Sequence, residues 1–448
     1  MRGIYCMAVV LVMAQGPLTA QSVDERIRKL EDQLAQLTEQ IRELKQGDKE
    51  ISSESKQEKP RARPGDIRVY WKDGLRLDSN NGRFKLRIGG RIHSDFGFFS
   101  ADKSLTDKVG VIRDGHELRR ARFFVSGTIG RVDYKAEYDF GGGDADWKDV
   151  FIGLNKLPGL GKLKVGHFKE PFGLEELTSS NNVTFMERAI TAPFVPSRNT
   201  GIAFQNGAAS GQVTYALGVF RDSRDYGHSI GDAGVSVTGR ITGTPVNEDA
   251  GRRLLHLGAA FSHQGVPTDA IRFRSRPPAH LMPQFVDTGQ FPSRSYNLVG
   301  LEAASVSGPF SLQTEYVKAN TDADAAGDPT FQSFYVQGSF FPTGEYRRYK
   351  ASSGAFDRVN PSSSLADGGP GAIELAARYS WMDLNDNVGH SVSTLWLGAS
   401  EGGEMKSITL GVNWYVNNNA RVMWNYLHST VENVGDADGL QMRVHIDF

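Results

Sequence analysis

Cysteine is almost absent from this chain: Cys6 is the single one in 448 residues. It lies inside a stretch that reads as a removable leader, too early to be a lipid-modified cysteine. The mature chain then has no thiol, which excludes disulfides and cysteine metal sites. Long apolar runs are missing as well. Ile4 to Met13 falls well below the ~20 residues that cross a bilayer as a helix, and no later segment approaches that length. Spanning helices are excluded. An exported chain without them is either soluble outside the cytoplasm or a closed β-barrel. An excess of one charge is missing too: 51 Lys and Arg stand against 52 Asp and Glu. No nucleic-acid partner is expected from that balance. Catalytic signatures are absent: there is no GxSxG, and the ten histidines form no HExxH. GGGD at 141–144 follows a strand pattern without a helix signal behind it, so it does not read as a phosphate cradle. The chain reads as a non-enzyme, with no catalytic residue, metal site or cofactor.

What is present begins with the address. Arg2, the apolar run and Leu18-Thr19-Ala20 make a secretory signal over 1–20. Residues 21–46 carry heptads: Val23, Ile27, Leu30, Leu34, Leu37, Ile41 and Leu44 are spaced 4, 3, 4, 3, 4, 3. That spacing predicts a left-handed coiled coil, with a single amphipathic helix as the alternative. Residues 47–65, rich in Ser, Lys and Glu and carrying Pro60 and Pro64, form a linker that cannot bury a core. A domain is expected over 66–448.

From Arg83 onward the apolar pattern has a period of two. Ala121, Phe123, Val125, Gly127 and Ile129 lie on one parity, with Arg120, Arg122, Phe124, Ser126 and Thr128 on the other. After Gly130-Arg131, Val132, Tyr134, Ala136 and Tyr138 oppose Asp133, Lys135, Glu137 and Asp139. One charged face and one apolar, aromatic-ended face describe a strand between two solvents. Such runs recur about sixteen times, in the ~10-residue strand pattern of outer-membrane barrels. Short joins at Gly130-Arg131, Gly308-Pro309 and Asn417-Asn418-Asn419 contrast with long polar stretches at 264–295, 319–329, 342–370 and 383–404. Fifty glycines and 10% aromatics suit tight turns and aromatic girdles. Phe448 ends an alternating strand, which resembles the signal read by outer-membrane assembly machinery. The fold class expected is all-β: a transmembrane antiparallel β-barrel in outer-membrane lipid, with a short N-terminal coiled-coil helix. The segment near 170–200 breaks the period of two. Long loops of that kind are usually functional, and in a barrel such a loop can fold into the lumen.

Several segments together carry a family resemblance: ELRRAR at 117–122, DYKAEYDF at 133–140, GHFKEPFGLEELTSSNNVTFMER at 166–188, YVQGSFFPTGEYRRY at 335–349, ELAARYS at 374–380 and GVNWYVNNNARVMWNY at 411–426. In this order they resemble the phosphate-selective porin O and P family of outer-membrane porins. The resemblance implies a sixteen-stranded barrel, a homotrimer, an inward third loop and an arginine-lined lumen with a central anion site. It places Ser179, Ser180 and Arg188 at that site, with Asp149 beside it. One position departs: Glu176 stands where the phosphate-selective members carry lysine.

The residues themselves fit anion binding. Arginine offers a fork matched to oxyanions, and serine hydroxyls add directional donors. Arg120 and Arg122 share the polar parity and are expected in the lumen, unless they merely balance Glu137 and Asp139. Arg119 falls on the apolar parity. It either snorkels to an interface or joins the lumen through an irregular strand start. Arg188 is either a solute contact or pinned to Glu175, Glu176 and Glu187. Ser179-Ser180 also reads as a turn. Arg347-Arg348 is read as part of an extracellular loop, drawing anions to the mouth or simply solvated. The expectation is a diffusion channel for inorganic phosphate, polyphosphate or other small anions. The alternative is a general or other-solute porin without phosphate selectivity.

Overall fold

The structure is a computed structural model. It describes residues 28–29, 31–43 and 66–448 apart from 144, 224–226, 229, 232–233, 268–269 and 387–401. Residues 31–43 are helical, within the stretch whose heptads predict a coil. The expected leader at 1–20, the ends of the coil at 21–27 and 44–46, and the linker at 47–65 lie outside the described residues. Met1–Pro64 and Gly65–Phe448 are separate compact units, and the second carries the rest of the architecture.

Sixteen antiparallel strands close on themselves. The first nine are β1 (Phe84–Ala101), β2 (Gly115–Ile129), β3 (Val132–Asp139), β4 (Asp146–Leu157), β5 (Gly161–Lys169), β6 (Arg198–Ala208), β7 (Val213–Arg221), β8 (Val235–Glu248) and β9 (Arg253–Gly265). The others are β10 (Ser295–Ser307), β11 (Phe310–Asp322), β12 (Thr330–Phe340), β13 (Ala372–Asp383), β14 (Glu404–Tyr415), β15 (Ala420–Val431) and β16 (Gly435–Asp447). Each pairs with its sequence neighbour, and β16 returns to β1 in a register running from Asp447↔Arg91 to Ala437↔Ala101. Phe448 completes the seam: its N–H donates to the Gly90 carbonyl at 3.0 Å, and the Gly90 N–H donates to the Phe448 carbonyl at 2.8 Å. Below the seam a hairpin of Ile67–Trp71 and Leu75–Ser79 adds to the lower part of β1.

The alternation decides which side faces what. Between β2 and β3, Phe123 pairs with Tyr138 on one face, while Phe124 pairs with Glu137 and Arg122 with Asp139 on the other. Phe123 is 46% exposed and Glu137 only 1%. Apolar side chains point out and ionisable ones point in, the reverse of a soluble sandwich. An exposed apolar belt of this kind requires hydrocarbon around it. The β2–β3 turn closes in two residues because Gly130 adopts a φ of 62°, the left-handed conformation such turns demand.

Strand direction alternates, so connections fall at two ends. The short turns after β2, β4, β6, β8, β10 and β14 share one end, which is the periplasmic end in this architecture. The segment 341–371, between β12 and β13, lies at that same end. Arg347-Arg348 therefore does not sit in an extracellular loop; strand parity overrides the inference from loop length. This segment turns inward instead. Arg347 is buried and donates to the Thr184 hydroxyl, and Ala355 and Phe356 pack with Leu174, Leu254, Ala304 and Val306.

The segment 170–197, between β5 and β6, crosses the lumen. Its short helix Leu174–Leu177 is held by Glu315 of β11, whose carboxylate accepts the Leu174 and Glu175 N–H groups at 2.8 and 2.7 Å. On the far wall the Met186 N–H donates to Asn425 of β15 at 2.9 Å, and Arg443 of β16 donates to Glu187 at 2.7 Å. Phe172, Ile190 and Phe194 of the crossing segment are buried with Phe273, Met282 and Phe285 of the 266–294 connection. These apolar residues thus give the lumenal loops a small core inside a polar wall.

Candidate functional site

Where the crossing segment faces β1–β6, a chamber of about 180 Å³ remains. Seven cationic side chains border it: Arg91, Arg120, Arg122, Lys135, Lys169, Arg188 and Arg198. The other lining residues are Glu137, Asp149, Leu177, Ser179 and Ser180. Local geometry explains the gathering. A period of two aims Arg91, Arg122, Lys135, Glu137 and Asp149 from adjacent strands at one lumenal spot, and Arg91 stands directly opposite Arg122.

Arg119 and Arg120 both turn inward because the β1–β2 register shifts between His93 and Ser94, leaving Arg119 as the extra residue. A bulge of this kind re-aims side chains. It resolves the two readings of Arg119 in favour of the irregular strand. Arg119 does not border the chamber, however. Its fork is taken by Glu187, at 2.9 and 3.0 Å.

Carboxylates temper the remaining cations. Arg91 donates to Glu137 at 3.0 Å and to the Ser180 hydroxyl at 2.8 Å, and reaches Ser179 at 3.5 Å. Arg122 pairs with Asp139 at 2.6 Å, and Arg120 lies 3.7 Å from Glu187. Asp149 bridges Lys135 and Arg198, at 2.8 and 2.7 Å. Glu176 lies between Lys169, at 3.0 Å, and Arg188, at 3.1 Å. Burial alone would push the Glu176 carboxyl up, but Arg188, Lys169 and Arg198 outweigh it and hold it at about 2. Glu187 behaves alike: burial opposes the charge, and Arg119, Arg120 and Arg443 keep it well below the usual carboxylate range. Arg188 is also tied to loop carbonyls, donating to Glu175 at 3.0 Å, Glu176 at 3.2 Å and Thr178 at 3.1 Å. The Ser179-Asn182 turn is real, closed by the Asn182 N–H on the Ser179 carbonyl at 2.8 Å.

Of the residues expected from sequence, Arg120, Arg122, Asp149, Ser179, Ser180 and Arg188 border the chamber. Glu176 stands one shell behind, and Arg119 is committed to Glu187. Sequence reasoning missed Arg91, Lys135, Glu137, Lys169 and Arg198 as site residues. Arg91 and Lys135 were legible as lumen-facing from parity alone. Lys169, the last residue of β5, had no such signal. Two buried nitrogens at the site, Nε of Arg91 and Nε of Arg120, have no hydrogen-bond partner among the described residues. Chemically, a confined cluster of ammonium, guanidinium and hydroxyl donors can hold a small oxyanion by charge-assisted hydrogen bonds.

Residues 86–448 match the phosphate-selective porin O and P family. The chain belongs to that family. It is 29% identical over 412 residues to Porin O of Pseudomonas aeruginosa, an alignment covering 84% of this chain and 90% of that one. It is 32% identical over 357 residues to an uncharacterized protein of Caulobacter vibrioides, covering 76% and 69%. Among solved structures, Pseudomonas putida OprB aligns with a TM-score of 0.51 at 9% identity, covering 82% of this chain and 94% of that one. The outer-membrane channel DcaP of Acinetobacter baumannii aligns at 0.50 and 12% identity, covering 83% and 99%. Those two likenesses concern the fold. This porin is therefore a β-barrel channel of the Gram-negative outer membrane, not an enzyme.

Proposed function

We propose that this porin is an anion-selective diffusion channel whose solute is inorganic phosphate or polyphosphate. The observation that carries the reading is the chamber composition: seven cations against two carboxylates, with two serine hydroxyls between them. Arg120, Arg122, Arg188, Ser179 and Ser180 act as solute contacts, joined by Arg91. Asp149 and Glu176 temper the field, and Arg119 holds Glu187 in place. Conduction requires binding that is favourable yet releasable, and partial neutralisation by these carboxylates serves release. In this reading residues 1–20 are a signal peptide, 21–46 a coiled coil on the periplasmic side, 47–65 a linker, and 66–448 the barrel of a homotrimer with its loop near 170–200 in the lumen.

A second reading, a general porin without phosphate selectivity, is favoured by one observation. Glu176 engages both Lys169 and Arg188, so two of the seven cations are partly offset. Planar-bilayer recordings separate the two. An anion-selective reversal potential in chloride, with current blocked as phosphate is titrated in, supports the phosphate channel. A cation-selective pore, or chloride current indifferent to phosphate, replaces it with the general porin.

A further inference from the structure

A second chamber, of about 210 Å³, adjoins the first and shares Asp149, Lys169 and Leu177 with it. Its remaining walls come from β5 to β8, from Pro171 of the crossing segment and from the inward periplasmic segment at Ser353. Its chemistry differs. The first chamber has Leu177 as its one apolar lining residue, whereas this one is also lined by Phe168, Pro171, Ala203 and Ala216. Ala203 and Ala216 sit on neighbouring strands, and their small side chains open the space that larger ones would fill.

Its cations are unequal. Arg240 is committed, donating to Glu302 at 3.0 Å and to the Gly354 carbonyl at 2.7 Å. Lys162 is paired with Asp133. Lys164 has no carboxylate within hydrogen-bond distance among the described residues. Its ammonium instead lies over two aromatic rings, 4.8 Å from the centre of Phe151 and 5.1 Å from that of Phe168. An ammonium held by ring faces rather than by a carboxylate keeps its charge available to an incoming anion, with an apolar wall beside it.

We propose that this side chamber is a binding site for small organic anions with an apolar body, aryl carboxylates being the class that fits. The carboxylate meets Lys164, and the ring lies against Phe168, Leu177, Ala203 and Ala216. Inorganic oxyanions lack the apolar half and stay in the first chamber. The proposal rests on the reading of the pore as anion-conducting, and the experiment keeps the two apart.

Full-length porin in planar bilayers is titrated with benzoate, acetate and inorganic phosphate while chloride current is recorded. Benzoate is expected to half-block at a concentration about tenfold below acetate, the gain from burying one ring. Ala216→Phe, which fills the chamber from a position outside the lining of the first one, is expected to remove that preference and leave phosphate block within about twofold. Lys164→Met, which keeps the stem and removes the charge, is expected to weaken benzoate block about tenfold. It also serves if Ala216→Phe does not insert. Equal block by benzoate and acetate in the wild type overturns the site, as does undiminished benzoate preference in both variants. A cation-selective wild type that benzoate still blocks in preference to acetate leaves the site standing and removes the phosphate-channel reading instead.

Discussion

At the scale of single residues, the lumen shows how much of a charge is already committed before a solute arrives. Arg91 and Arg119 carry the same group, yet Arg119 gives its fork to Glu187 while Arg91 borders the chamber. Arg91→Ala should therefore weaken phosphate block of chloride current by about 1.5–3 kcal/mol, the range for hydrogen bonds to charged groups. Arg119→Ala should change it little. Equal effects of the two would refute the assignment. Glu176→Lys reverses the charge beside Lys169 and Arg188. A carboxylate near the path repels anions by about 1 to 4 kcal/mol depending on screening, so the variant should shift the reversal potential toward the chloride limit. The acid limb follows from the Glu176 carboxyl, held at about 2 against an ordinary value of 4.5. A depressed carboxyl adds stability in full above its ordinary value and loses it as pH falls through the folded value. Selectivity set by Glu176 should be flat from neutral pH down to about 4 and change only below it. A pH series of reversal potentials checks this, and a midpoint near 4.5 in that series would contradict the buried pairing. Arg120 and Arg122 were legible as lumenal from their parity. Arg119 was not, because a one-residue bulge changes facing without leaving a mark in composition.

At the scale of elements, the 170–197 segment is a loop by sequence and a fixed partition by packing. Arg443 of β16 is fully buried, donates to both Asp95 carboxylate oxygens at 2.6 Å, and reaches Glu187 and the Met186 carbonyl. Removing it leaves Asp95 buried without its partner, a loss of about 3–5 kcal/mol for a broken buried pair. Arg443→Ala should release the segment from the far wall. Limited proteolysis at 170–197 should become fast, and single-channel conductance should rise and flicker. An Arg443→Ala channel as quiet and as protease-resistant as the wild type would mean that Glu315 and the apolar cluster suffice to hold it. The long polar stretch at 342–370 suggests an extracellular loop for Arg347-Arg348, yet the inward segment 341–371 is periplasmic. Only the count of strands before it gives its side, since each strand reverses the chain.

At the scale of the whole molecule, closure leaves none of the sixteen barrel strands with a free edge, which a bilayer requires of β-structure. The seam between β1 and β16, with Phe448 bonded to Gly90, is the last piece of that closure. Assembly should depend on it. Deleting Phe448 should reduce the heat-modifiable, folded band on electrophoresis, and full folding yield without it would show the seam to be dispensable. In the proposed assembly the heptads at 23–44 add to the stability of the trimer. Deleting residues 23–64 should lower the melting temperature of the proposed trimer while leaving the pore open. Cross-linking that yields no trimer from the full chain would end that assembly model.

The sequence by itself determined the architecture and the membrane. A period of two with one charged face, the absence of long apolar runs and the spacing of turns are local properties, and they survive in any tertiary arrangement that satisfies them. The tertiary structure alone decided which charges are spent and which are available. Glu187 on Arg119, Glu176 on Lys169 and Arg188, and Lys164 left to aromatic faces bring together residues from separate strands and loops. Alternation states which side of a strand a group faces. The partner it meets across the lumen depends on how the inward segments cross, and that rests on burial of Phe172, Ile190 and Phe194 together with the Glu315 and Arg443 anchors from distant strands.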